Sequence, residues 1–74
     1  HLAPPAPAPG GRVNINTAMM DELQRLDGVG EVLARRIVAN RLQYGPFRSV
    51  EDLARVKGIG EKTVEKNRAR IALH

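Results

Sequence analysis

Leu23-Gln24-Arg25-Leu26-Asp27-Gly28-Val29-Gly30-Glu31 returns thirty residues later as Leu53-Ala54-Arg55-Val56-Lys57-Gly58-Ile59-Gly60-Glu61. The acidic pair Asp21-Glu22 returns at the same offset as Glu51-Asp52. A repeat of this length implies two copies of one supersecondary unit that pack on each other to close a shared core. Each copy reads as helix, tight turn, helix. Two glycines around one apolar residue break the chain, because glycine adopts backbone angles that other residues avoid.

Working outward, Asn16 or Thr17 is expected to cap a helix over about 17–26, with Asp21 and Glu22 at its favourable negative end. The second helix is expected over about 31–42, where Leu33, Ala34, Ile37, Val38 and Leu42 supply an apolar face. Gly45-Pro46 stops it, and Phe47 plugs the connection between the copies. Ser49 with Asp52 resembles a capping box for a third helix over about 50–56. A last helix opens at Glu61. Asn67-Arg68-Ala69-Arg70 has no apolar stripe, while Ile71 and Leu73 read as buried closing residues. The expected fold is all-α: a tandem helix-hairpin-helix of four to five short helices with pseudo-twofold symmetry, its copies at about 17–42 and 49–71. Ahead of this domain, taken as 13–74, residues 1–12 carry LAPPAPAPGG and read as a Pro/Ala-rich tether.

The placement of Gly-apolar-Gly directly before a helix carries the chemistry. The first helical turn leaves backbone N–H groups without partners, and the helix dipole adds partial positive charge. That combination suits an anion such as phosphate. Gly28 and Gly30, and again Gly58 and Gly60, leave those amides uncovered, while Val29 and Ile59 turn inward to pin each hairpin. Arg35 and Arg36 follow the first hairpin, Lys57 precedes the second, and Lys62 and Lys66 share one helix face after it. Asp27, Glu31 and Glu61 act against the anion, and Arg68 and Arg70 read as solvated surface charges.

The 74 residues are 42% hydrophobic and carry a net charge of +4. From Glu31 onward ten basic residues face five acidic ones. Such a basic surface suits a polyanion. Tyr44 and Phe47 are the only aromatics, which argues against a single-strand binder built on stacked rings. Cysteine is absent, so disulfides and thiolate metal sites are excluded. No metal site or cofactor is expected, and no small-molecule substrate. Catalysis is not expected either: the carboxylate pairs sit where helix starts explain them, and His1 and His74 are terminal.

Val13-Asn14-Ile15-Asn16-Thr17-Ala18, the two hairpins, Ala34, Ile37 and Arg41, Gly45-Pro46-Phe47 and Val50-Glu51-Asp52-Leu53 together resemble the C-terminal helix-hairpin-helix domain of the competence protein ComEA family. The resemblance implies sequence-independent binding of double-stranded DNA outside the cytoplasmic membrane, as a receptor in DNA uptake for transformation. It also implies an N-terminal anchor or signal segment joined by a linker, and other DNA-uptake proteins as partners. The chain opens on His1 rather than Met, as expected of a trimmed product. Three residues depart from the pattern: Met19 where a Ser cap is common, Asp27 where Pro often stands, and Asn67 where an apolar residue is usual. The sequence is also similar to the small extrinsic protein of cyanobacterial photosystem II, which implies a protein-protein adaptor. Accessory DNA-binding modules of repair proteins share the hairpins. Basic residues beside the hairpins favour DNA over the adaptor.

Overall fold

The computed structural model describes residues 12–73. Most of the expected tether therefore lies outside the described residues. In chain order the elements are β1 (Val13–Asn14), α1 (Met20–Leu23), α2 (Glu31–Tyr44), a 3-10 helix (Val50–Arg55), α3 (Glu61–Asn67), a second 3-10 helix (Arg68–Arg70) and β2 (Ile71–Ala72).

The all-α expectation holds for the body of the domain and fails at its two ends. β1 and β2 pair in parallel, Val13 opposite Ile71 and Asn14 opposite Ala72, and Ile15 N–H continues the ladder to Ala72 O. Val13, Ile15 and Ile71 are buried. The β-branched residues at 13 and 15 follow the two-residue period of a strand, which sends both side chains inward. Two-residue strands are too short for that period to stand out in a sequence.

The first helix is shorter than expected. Asn14 O accepts the amides of Thr17 and Ala18, which makes a turn of the segment expected to start the helix. Met19 becomes the N-cap, without a side-chain oxygen to offer, and Glu22 Oε1 reaches back to its amide at 3.4 Å. Asn16 is occupied elsewhere. Its side chain accepts from Phe47 N–H at 2.7 Å and donates to Phe47 O at 3.0 Å. That pair of bonds fixes the link between the copies, and the Phe47 ring is buried beneath the Arg55 guanidinium, 4.4 Å from its centre.

The run at 50–56 is a 3-10 helix rather than an α-helix. Ser49 Oγ caps it through Asp52 N–H, and the Asp52 carboxylate reaches Arg48 N–H at 2.8 Å, one residue before the cap. The same tightening ends the first helix of the first copy, where Arg25 and Leu26 donate to Glu22 and Leu23. Such i→i+3 bonds suit short segments that must stop at a turn. α2 runs two residues past the expected end and closes at Gly45, whose φ is +90°. Ala34 and Ile37 are buried along it, but Leu42, expected in the core, is 80% exposed. Arg41 takes the inward position instead: it is half-buried and donates to Ile15 O at 3.0 Å. Burial lowers its pKa.

Burial repeats with the sequence. Leu23, Leu26, Val29 and Ala34 are buried in the first copy, and Leu53, Val56, Ile59 and Val64 in the second. All belong to one core. Burying the Leu, Val and Ile side chains contributes about 1.5–3 kcal/mol each before entropy is counted.

Candidate nucleic-acid interface

Each hairpin is a turn closed by one bond: Val29 N–H to Leu26 O at 3.1 Å, and Ile59 N–H to Val56 O at 3.0 Å. The third residue of each turn is at positive φ, +79° for Gly28 and +99° for Gly58. At Gly58 a second constraint applies, because an added Cβ would lie 2.7 Å from Leu33 Cδ2 and 3.0 Å from Arg36 Nη1. The glycines that follow behave differently. Gly30 and Gly60 are the extended N-caps of α2 and α3, and a Cβ on either would meet open space. Val29 and Ile59 are buried and pin each hairpin to the core.

Beyond each cap the first amide with a helical acceptor is Ala34, on Gly30 O at 2.9 Å, and Val64, on Gly60 O at 3.1 Å. The amides of the preceding turn are the ones a helix start leaves for an outside acceptor. Both hairpins thus present backbone donors on a surface free of side chains at the capping glycine.

The two copies hold each other's hairpins. Asn67 of α3 is 1% exposed, the buried polar residue of the described core. Its Oδ1 accepts from Asp27 N–H at 2.8 Å, and its Nδ2 donates to Asp27 O at 2.9 Å and Thr63 O at 2.8 Å. In return Arg36 of α2 donates to Lys57 O at 2.9 Å, one residue before Gly58. Asn67 stands at the repeat position of Ile37, and its departure from the apolar pattern braces the first hairpin from the second copy. Sequence reasoning missed that brace. The only signal was a polar residue at a repeat position whose counterpart belongs to the core.

The charges distribute unequally. Arg35 pairs with Glu31 at 3.0 Å on an exposed face. Arg36 spends one of its donors on Lys57 O. Lys57, Lys62 and Lys66 are exposed and form no ion pair among the described residues. All three flank the second hairpin. At the matching places the first hairpin has Asp27, Val32 and Arg36. Arg68 is exposed, and it is bridged to Glu51 and Glu65. The hydrogen bond from Arg68 holds the Glu51 carboxyl below its ordinary value, while Glu65 and Glu51 raise Arg68. Among the described residues no carboxylate or histidine cluster could hold a metal, and no helix is long and apolar enough to cross a membrane.

Two glycine hairpins, each opening a helix and each braced by the opposite copy, define a tandem helix-hairpin-helix domain. The chain belongs to the helix-hairpin-helix motif family, whose profile matches residues 9–72. It is 47% identical over 64 residues to ComE operon protein 1 of Bacillus subtilis, covering 86% of this chain and 31% of that protein. A protein of Haemophilus influenzae described as uncharacterized is 48% identical over 61 residues, 81% of this chain and 54% of its own length. The human endonuclease/exonuclease/phosphatase family domain-containing protein 1 is 44% identical over 71 residues, 96% of this chain and 12% of that protein. The chain thus spans from about an eighth to about half of these relatives. The resemblance to the competence family holds across the folded part of the chain.

Proposed function

We propose that this domain binds double-stranded DNA through backbone phosphates without reading sequence, and that it serves as a DNA receptor in competence, outside the cytoplasmic membrane. The observation that carries the reading is the pair of mutually braced hairpins with three lysines beside the second that form no ion pair among the described residues. A pseudo-twofold relation between the repeated hairpins suits a duplex whose strands are themselves related by a twofold. One hairpin takes each strand across the minor groove. Contacts of this kind position a protein and carry no base information. The family match and the likeness to ComE operon protein 1 support DNA as the partner. The role is binding rather than catalysis, with other DNA-uptake proteins as further partners.

The test is binding to a mixed-sequence duplex of about 20 base pairs at about 50 and 200 mM salt. Contact with about four phosphates lowers affinity by about a hundredfold across that range. A duplex of unrelated sequence gives the same curve, and Lys62→Glu with Lys66→Glu abolishes binding. Absence of binding at low salt and high protein concentration would refute the DNA reading.

A further inference from the structure

α2 has 14 residues and α3 has seven. The extra length of α2 builds something that the first hairpin lacks. Beyond Arg36, its outer face runs alongside the end of the first 3-10 helix and leaves a groove of 320 Å³. Arg36, Asn40, Gln43 and Tyr44 line one wall, and Arg55 and Lys57 the other. Lys57 directly precedes Gly58, so the groove adjoins the second hairpin.

Its two guanidinium groups are held in place from within. Arg36 Nη1 is fixed on Lys57 O at 2.9 Å. Arg55 donates through Nε to Asn40 Oδ1 at 2.5 Å and through Nη2 to Gly45 O at 2.7 Å. Guanidinium groups fixed in this way lose little freedom when an anion arrives. Among the described residues no carboxylate lines the groove. Asp52 stands 3.9 Å from Arg55 and offsets part of its charge, which leaves Arg36 and Lys57 as the full cations. A second hollow near the same hairpin, of 280 Å³, is lined by Glu51, Glu61 and Glu65 around Arg68. A polyanion leaving the second hairpin is repelled by that hollow and attracted by the groove.

We propose that the groove between α2 and Arg55–Lys57 is a further phosphate-backbone site, which takes the DNA strand as it leaves the second hairpin. This rests on the double-stranded DNA reading above. From Arg36 to Tyr44 the helix rises about 12 Å, a span in which one strand of a duplex carries about three phosphates. Gln43 and Asn40 present amides to that path, and Tyr44 closes its far end with an exposed ring. The footprint is therefore lopsided: two hairpins, with an extension on the side of the second alone.

Gln43 and Leu42 make the test, since both are exposed on α2 and only Gln43 lines the groove. Duplex binding is measured for the unaltered chain, Gln43→Lys, Gln43→Glu and Leu42→Lys across the same salt range. Gln43→Lys is expected to strengthen binding by about threefold to tenfold and steepen the salt slope by about one, with Gln43→Glu doing the reverse. Leu42→Lys, with the same added charge off the groove, is expected to change affinity by less than about twofold. Equal effects of Gln43→Lys and Leu42→Lys would overturn the groove while leaving hairpin binding intact. No duplex binding by the unaltered chain would remove the reading beneath it as well. Poly-glutamate serves as the rival probe: a response to Gln43→Lys toward that polymer alone would assign the groove to an acidic protein and overturn the proposal.

Discussion

Asn67 and the four hairpin glycines separate what holds the domain from what it offers to a ligand. Asn67→Ala removes one acceptor and two donors from the backbone of Asp27 and Thr63. Stability is expected to fall by about 1–3 kcal/mol, read from the urea midpoint. Asn67→Asp keeps an acceptor for Asp27 N–H and loses both donations, so it falls short of the parent as well. Ile at this position, as at Ile37, would fit the apolar pattern and still orphan Asp27. The glycines divide by position. Gly58→Ala forces a side chain into a positive φ and onto Leu33 Cδ2, costing about 1–3 kcal/mol. Gly30→Ala and Gly60→Ala meet open space at negative φ, and the entropy they gain offsets the poorer N-cap, so the thermal midpoint is expected to change little compared with Gly58→Ala. In the proposed complex the same two changes put a methyl group in the path of a phosphate. Duplex affinity is expected to fall by about tenfold, or about 1.4 kcal/mol. Unchanged affinity in both variants would detach the hairpins from the DNA.

At the level of elements, α1 is the weakest, four residues capped by a Met that offers no oxygen. Met19 is 70% exposed, so replacing it loses little burial. Met19→Ser is expected to add about 0.5–1 kcal/mol by accepting an orphan amide of the first turn, measured by chemical denaturation. The Glu51–Arg68–Glu65 bridges tie the first 3-10 helix to α3 and to the turn after it. Glu51 has a depressed pKa in the fold, so its contribution is present above the unfolded value and is lost as pH falls through the folded one. Stability is expected to decline as pH drops below the ordinary glutamate range, about 4.3. Arg68→Ala flattens that part of the profile; an unaltered profile would show the bridge to be without effect. These elements also show what a sequence can reveal. The hairpins and their neighbouring helices were legible because two copies repeat the same apolar spacing. The 3-10 geometry at Val50–Arg55 was not, since short helices of either kind share that spacing. Asn16 looked like a helix cap because its amide suits one, and only the distant Phe47 backbone reveals its partner. The candidate site was legible as a set of residues, but Arg36's engagement with Lys57 O depends on contacts 21 residues apart.

The two copies together make a small domain, so its stability depends on their acting as one. Three independent features join them: the Asn67 and Arg36 braces between hairpins and opposite helices, the Asn16 clamp on Phe47, and the parallel pairing of β1 with β2. None lies within a single copy. A half-domain would therefore leave Asp27 and Lys57 without their braces and expose the core face of Leu23, Val29, Ile59 and Val64. Cooperative opening follows, because no subset of elements retains a closed core. Native-state hydrogen exchange is expected to give the buried amides of Ala34, Ile37 and Val64 one common opening free energy, equal to that from urea denaturation. In Asn67→Ala all three values are expected to drop together. If Val64 exchanged through a lower-energy opening than Ile37 in the parent chain, the copies would be unfolding separately. The hairpins would then lack a fixed spacing, and two phosphate contacts on one rigid duplex would have to be made one at a time.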